Sequence, residues 1–125
     1  MNKILWLRLI GISGAVCVML GAFAAHGLEG RLSERYMDVF QTAVFYQLVH
    51  TLALLGLLCL PDQLVNPKVR HWAAISFALG ILIFSGSLYL LVFTHIGALG
   101  MITPIGGSAF IVGWLLLFFI AKRDQ

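Results

Sequence analysis

Two histidines and two tyrosines lie within or at the ends of long apolar stretches of this sequence, where few other side chains could do chemistry. They are His26, Tyr46, His50 and Tyr89. At about 1.5 Å per helical residue, His50 lies about 16 Å from the predicted outer end of its stretch, near the midplane of a bilayer. An imidazole at that depth could carry a proton or bind a ligand, because ionisable groups inside membranes commonly mark functional pathways.

Nine side chains form a candidate polar cavity or lipid-binding site, most of them in the outer half of the predicted membrane region. Their hydroxyl, amide and imidazole groups could line an outward-facing cavity for a lipid group, a quinone-like molecule or a small polar solute. The same groups could instead hydrogen-bond between helices and specify one packing arrangement. This structural interpretation is favoured. For His50 it is favoured because proton-coupled transporters usually rely on a charged residue, and no Asp, Glu, Lys or Arg lies deep in an apolar stretch. The nine residues are His26, Thr42, Tyr46, Gln47, His50, Ser85, Ser87, Tyr89 and Thr103.

Catalytic, metal and cofactor chemistry are not expected. A serine nucleophile needs an adjacent base that a third group orients. Ser85 or Ser87 could approach His50, but no carboxylate lies at a matching depth. His26 and His50 fall on different helices and at different depths, which is unfavourable for zinc. We therefore expect a protein that is not an enzyme and has no catalytic residue, metal or cofactor.

The composition is that of an integral membrane protein. Of 125 residues, 61% are hydrophobic and 10% are charged, whereas about a quarter are charged in soluble proteins. Most of the basic residues behind the formal charge of +3 flank apolar stretches, so nucleic acid is not an expected partner. Four stretches reach the roughly 20 residues that a helix needs to cross about 30 Å of hydrocarbon. They cover approximately residues 4–25, 39–60, 72–93 and 102–121, and predict an all-α four-helix bundle forming one transmembrane domain over residues 1–125.

Charged residues between the apolar stretches predict the orientation in the membrane. Lys and Arg favour the cytoplasmic side of a membrane protein. Six basic residues fall on one side, whereas Arg31 and Arg35 on the other side are accompanied by Glu29, Glu34 and Asp38. Both termini are therefore expected in the cytoplasm.

The connection between the first two spans has a helical pattern of its own. Leu32, Tyr36 and Phe40 recur at helical spacing, and Ser33 could cap such a helix. This pattern predicts a short interfacial helix on the outer surface that leads into the second span, with an irregular loop as the alternative.

Small residues predict the helix faces that pack together. At about 100° per residue, one face of the first span collects glycines, alanines and His26. Small residues let helices approach closely, and close packing is a main source of association in lipid. These faces exceed the needs of one bundle, so a homo-oligomer is expected. The predicted packing residues are Gly11, Gly14, Gly21, Ala22, Ala25, Gly80, Gly106 and Gly113.

Four motifs in order resemble the family known as domain of unknown function 423. They are GAFAAHGL at residues 21–28, the segment from Gln41 to Ala53, FSGSLY at residues 84–89, and the segment from Thr103 to Trp114. The resemblance covers nearly the whole chain. It implies a small four-helix protein of the bacterial inner membrane, and it implies no activity, ligand or catalytic residue.

The expected function follows from the membrane architecture and the favoured structural interpretation. We expect a non-enzymatic membrane scaffold or lipid-interacting protein, with membrane lipids as partners. The alternative is a small-solute transporter or channel subunit that binds an unidentified small ligand in the outward-facing polar cavity.

Overall fold

The chain folds almost entirely into helices, and the computed structural model describes residues 1–123. Four helical segments are long and apolar enough to cross a bilayer, as expected. The third and fourth of these spans each contain a non-α segment. In chain order the elements are α1 (Lys3–His26), α2 (Glu34–Cys59), α3 (Pro67–Gly80), a π-helical turn (Ile81–Ser85), α4 (Gly86–Thr94), a 3-10 turn (Gly97–Met101) and α5 (Thr103–Phe118).

Side-chain caps fix where the first three helices begin. The Asn2 side chain accepts a hydrogen bond from Leu5 N at 3.1 Å, and Asn66 accepts one from Lys68 N at 3.0 Å. Ser33 Oγ accepts one from Tyr36 N at 3.2 Å, so the predicted serine cap is confirmed. Each cap satisfies a backbone amide that the first helical turn leaves without an intrahelical partner.

The predicted interfacial helix is not a separate element of the structure, so this prediction is corrected. The chain turns between Gly27 and Leu32, and α2 then runs without interruption from Glu34 to Cys59. The amphipathic residues that suggested a separate helix form the first turns of α2. No proline or glycine occurs between residues 34 and 55, so nothing in the sequence breaks the helix there.

The beginning of α1, the α2–α3 connection and the segment after α5 meet at one end of the bundle. Asn66 N donates to Ile120 O at 2.8 Å, and Lys122 N donates to Leu64 O at 2.8 Å. These bonds pair two extended segments and explain why α5 ends at Phe118 rather than at residue 121. Lys3 Nζ also lies 3.0 Å from Asp62 Oδ1.

Helix α2 lies at the centre and packs against α1, α3, the π turn and α4, while α5 packs mainly against α3 and the π turn. The core has two apolar clusters. The larger one includes Trp6, Leu57 and Phe77 near the end that carries the termini, and the smaller one includes Phe40 and Val92 near the opposite end. A polar layer lies between them. It consists of the buried residues Gln47, His50, Thr51, Ser85 and Ser87 together with their hydrogen-bond partners.

The inward face of α1 differs from the predicted small-residue face. The buried residues are Trp6, Ile10, Cys17 and Ala24. Large side chains face α2 and α3 because they fill the space between helices, whereas lipid can cover either an apolar or a small-residue face. Among the predicted packing residues of α1, Gly11, Ala22 and Ala25 are exposed, and Gly14 and Gly21 are half-buried.

The three predicted packing glycines outside α1 lie at close contacts with aromatic residues. A Cβ atom built on Gly106 would lie 2.7 Å from Phe84 Cα. One built on Gly113 would lie 2.6 Å from Phe77 Cδ1, and one on Gly80 would lie 2.9 Å from Phe110 Cγ. These glycines allow α5 to approach the third span closely.

A π-helical turn divides the third span. It covers Ile81–Ser85, and Gly86 N donates to the carbonyl of Ile81, five residues earlier. A π turn contains one more residue than an α turn and so rotates the faces on either side of it. It places the Phe84 backbone against Gly106 and Ser85 against α2.

Candidate functional site

A hydrogen-bonded network centred on Gln47 joins three helices in the polar layer. Tyr89 on α4 donates its hydroxyl to Gln47 Oε1 at 2.6 Å. Gln47 Nε2 lies 3.2 Å from both the carbonyl oxygen and the Oγ of Ser13 on α1. Ser13 Oγ lies 2.7 Å from Thr51 Oγ1, which donates to Gln47 O at 2.6 Å.

The direction of each hydrogen bond in this network is determined. The Thr51 hydroxyl proton is used in the bond to Gln47 O, so Ser13 must donate to Thr51. Ser13 Oγ then accepts from the Gln47 amide, whose oxygen accepts from Tyr89. Each hydroxyl donates once, and the amide uses both its nitrogen and its oxygen. The network is therefore closed on itself.

His50 forms a second polar connection, between α2 and α5. Its Nδ1 lies 2.7 Å from Tyr46 O, and Trp114 Nε1 donates to its Nε2 at 2.9 Å. The imidazole stacks on Phe110 with a ring separation of 3.6 Å and an interplanar angle of 13°. His50 is 4% exposed, so both of its nitrogens depend on protein partners.

These two partners determine the tautomer of His50. An indole N–H can only donate, so Nε2 must present its lone pair to Trp114. A carbonyl oxygen can only accept, so Nδ1 must carry the proton that bonds to Tyr46 O. His50 is therefore a neutral Nδ1–H imidazole, because an imidazolium would place two N–H groups opposite each other at Trp114.

The other predicted site residues are distributed among separate places. Ser85 is fully buried and donates to Ala43 O at 2.8 Å. Ser87 Oγ lies 2.6 Å from Thr103 Oγ1, and this hydrogen bond joins the third span to the start of α5.

Three of the nine residues lie outside these buried connections. His26 and Thr42 are exposed, and Thr42 donates to Asp38 O of its own helix at 2.9 Å. Tyr46 is 39% exposed, with its ring 4.6 Å from that of Phe84. The structure thus joins Gln47 with Tyr89 and Ser87 with Thr103, and it does not gather all nine residues at one place.

Three residues of the polar layer are not among the nine candidates: Ser13, Thr51 and Trp114. Thr51 lies one helical turn after Gln47, on the polar side of α2. Ser13 is the only Ser or Thr in α1, and a single hydroxyl in an apolar helix is a detectable signal. Trp114 lies among the apolar residues of the fourth span in the sequence. Nothing in its spacing indicates that its indole N–H would point to His50.

A groove of about 300 Å³ opens between α1 and the third span at the level of the Gln47 network. Its walls are almost entirely apolar, and Ser13 and Gln47 are its polar residues. Because both are used in the closed network, the groove presents mainly hydrocarbon surface to the bilayer.

Within residues 1–123, no three His, Cys, Asp or Glu side chains lie close enough together to hold a metal ion. Over the same residues, two buried side-chain polar atoms have no hydrogen-bond partner, Arg70 Nε and His71 Nδ1. Both belong to the first turns of α3, at the end of the bundle and outside the polar layer.

Comparison with known proteins finds both a family and individual relatives. The family described as "Protein of unknown function (DUF423)" matches residues 20–107. The chain is 48% identical over 115 residues to the UPF0382 membrane protein SH2409 of Staphylococcus haemolyticus, covering 89% of this chain and 93% of that protein. It is 42% identical over 112 residues to the UPF0382 membrane protein YwdK of Bacillus subtilis, covering 90% and 91%.

A third relative is named with a location. The chain is 40% identical over 112 residues to the UPF0382 inner membrane protein YgdD of Escherichia coli, covering 90% of this chain and 85% of that protein. No solved structure matches the chain. The family match spans more than half of the chain, and the relatives' names agree with four apolar helices. The family resemblance of the sequence motifs is therefore confirmed: this multi-pass membrane protein belongs to the DUF423 family.

Proposed function

We propose that this protein is a non-enzymatic scaffold of the bacterial inner membrane that contacts lipid through its exposed groove. One observation carries the proposal. Within the described part of the chain, the two buried side-chain polar atoms without a partner lie in α3 near the end of the bundle. The buried polar side chains between the two apolar clusters are occupied with one another or with backbone carbonyls, as expected of groups that specify helix packing.

The lipid contact is proposed from the groove between α1 and the third span. Its residues include Leu9, Ile12 and Leu82, which offer hydrocarbon surface without a free polar group. An acyl chain is the ligand that fits such a surface, since lipid tails surround the groove on its open side. We infer that a lipid tail occupies it.

Self-association is proposed from the exposed side of α1. Gly11, Ala15, Val18 and Ala22 follow helical spacing and are all exposed in the single chain. Small residues at this spacing allow a second helix to approach closely. A second copy of this chain is the proposed occupant of this face.

The proposed orientation places both termini in the cytoplasm. Lys3, Arg70 and Lys122 lie together at the end of the bundle that carries the termini. At the opposite end, Arg31 and Arg35 are accompanied by three acidic residues. This distribution supports a cytoplasmic location for the basic end.

Reconstitution into liposomes tests the scaffold proposal with two readouts. Liposomes that contain the protein should hold a proton gradient as long as protein-free liposomes do, because within residues 1–123 each buried side-chain polar atom of the polar layer already has a hydrogen-bond partner. The number of chains in each complex, measured by native mass spectrometry, should exceed one. The Gly11→Leu variant should dissociate into monomers, because leucine keeps the exposed face of α1 from close approach.

Gly56→Leu is the matched control for self-association. Like Gly11, Gly56 is an exposed helical glycine, and a Cβ built on either meets no other described atom within 4 Å, apart from its chain neighbours and the adjacent helical backbone. Equal dissociation of the two variants, or of neither, would contradict the proposed interface. If the protein makes the proton gradient decay faster, and His50→Ala abolishes this effect, the protein conducts protons. That result would refute the scaffold proposal.

A further inference from the structure

A basic cavity opens at the end of the bundle that carries the termini. Its volume is about 650 Å³, and its charged lining residues are Lys3, Asp62, Arg70 and Lys122. The side chains of these four residues, three cations and one carboxylate, carry a net charge of +2. The residues come from the start of α1, the α2–α3 connection, α3 and the segment after α5, so the fold assembles the cavity from four separate parts of the chain.

Arg70 is the buried member of this lining. It is 5% exposed, its Nη1 donates to Leu60 O at 3.0 Å, and its Nη2 donates to Asp62 Oδ1. Its Nε has no partner among the described residues. A buried guanidinium N–H without an acceptor is costly, and an oxyanion is the partner that its planar fork suits best. Arg70 therefore contributes to the cavity wall a charged group with one N–H that no described residue accepts.

Asp62 holds two of the cationic side chains in place but does not cancel the positive charge of the lining. It bonds to both Arg70 and Lys3 while its side chain stays 62% exposed. The Arg70 and Lys3 bonds lower the pKa of Asp62 to about 2, so it remains ionised at physiological pH. The carboxylate holds Arg70 and Lys3 side by side, and the excess positive charge remains available to a further anion.

The starts of two spanning helices add to this positive end. Asn2 and Lys3 at the start of α1 and Pro67 at the start of α3 line the same cavity. Helix N-termini carry partial positive charge and favour anions. Helices that cross the hydrocarbon core begin at the level of the lipid headgroups, so we infer that the cavity lies at the level of the phosphate layer.

We propose that this cavity binds the phosphate of an anionic ligand, with Lys3, Arg70 and Lys122 as its cationic contacts. An anionic lipid headgroup and free inorganic phosphate offer the same chemistry, and the experiment distinguishes them. The site adds a headgroup contact to the lipid contact proposed above. It depends neither on the groove nor on self-association, so each proposal can fail without the other.

Native mass spectrometry of the full-length protein tests this site. The detergent-solubilised protein is titrated with phosphatidylglycerol or with zwitterionic phosphatidylethanolamine, each with and without inorganic phosphate. We expect tighter binding of phosphatidylglycerol. A double variant, Lys3→Gln with Lys122→Gln, should weaken that binding about 30-fold, since each basic residue near an anionic headgroup contributes about 1 kcal/mol.

The double variant Lys68→Gln with Arg123→Gln is the matched control. It removes the same charge from the same end of the protein, but neither residue lines the cavity. Thermal unfolding of both double variants establishes that they are folded. Retained phosphatidylglycerol binding in the control and its loss in the cavity variant support the site.

The titrations with added inorganic phosphate distinguish a lipid headgroup from free phosphate as the ligand. A headgroup site retains phosphatidylglycerol when inorganic phosphate is added, whereas a site for free phosphate releases it and is stabilised by phosphate alone. Equal weakening in both double variants would show general surface attraction and overturn the proposal, as would equal binding of the two lipids.

Discussion

Replacing Gly106 by alanine is expected to destabilise the folded bundle by about 3 kcal/mol or more, at the upper end of the usual cost of overpacking. The new Cβ would lie 2.7 Å from Phe84 Cα and 2.8 Å from Phe84 Cβ. These atoms belong to or adjoin the backbone of the π turn, so they cannot rotate away as the end of a flexible side chain could. Either α5 must move or the π turn must rearrange. The fraction of folded protein during denaturation in detergent measures the effect.

The neighbouring glycine provides the control for this prediction. A Cβ on Gly107 would lie 3.7 Å from Phe84 Cδ2, which is an ordinary van der Waals contact. Alanine also stabilises a helix relative to glycine by up to about 1 kcal/mol. Gly107→Ala should therefore leave the stability unchanged or raise it slightly. Similar losses in the two variants would contradict the close approach of α5 to the third span.

Replacing Gln47 by leucine is the second substitution with a large expected effect. It removes the acceptor of the Tyr89 hydroxyl and the amide donor to Ser13 Oγ, and both residues are half-buried. Ser13 keeps its bond to Thr51, so Tyr89 is the hydroxyl that loses its partner. An orphaned buried polar group costs about 1–3 kcal/mol, so the free energy of unfolding should fall by about 2–4 kcal/mol. The same detergent denaturation measures the loss.

Two comparison variants separate hydrogen bonding from side-chain shape. Gln41→Leu makes the same change at an exposed position of the same helix and should have little effect. Adding Tyr89→Phe to Gln47→Leu removes the orphaned hydroxyl and should recover about 1–3 kcal/mol, the usual cost of an orphaned buried polar group. If the loss of stability in the double variant equals the sum of the losses in the two single variants, the two side chains do not interact.

The spans could be predicted from the sequence because length and apolar composition decide whether a helix crosses a bilayer. The cap at Ser33 could be predicted because it depends on local chemistry alone. The inward face of α1 could not be predicted from the sequence. In water an apolar stripe identifies the buried face, but in lipid both Trp6 and the small-residue face are apolar enough to contact either hydrocarbon or protein.

The candidate site was predictable in its composition but not in its connections. Gln47, His50 and Tyr89 were identified by polarity at membrane depth, and the structure places all three in the polar layer. Their partners Ser13 and Trp114 depend on helix rotation and on the π turn at Ile81–Ser85, neither of which has a clear signal in the residue pattern. Pairing across helices is a property of tertiary packing, and the sequence of one helix does not contain it.

The tautomer of His50 tests most directly whether the polar layer is structural. Nitrogen-15 NMR of histidine-labelled protein in lipid at neutral pH reports which ring nitrogen carries a proton, and a His50→Asn variant assigns the signal among the four histidines. A structural layer predicts a neutral ring that is protonated at Nδ1, with Nε2 accepting from the Trp114 indole. An Nε2–H tautomer or an imidazolium at this position would contradict it, because neither can accept that bond.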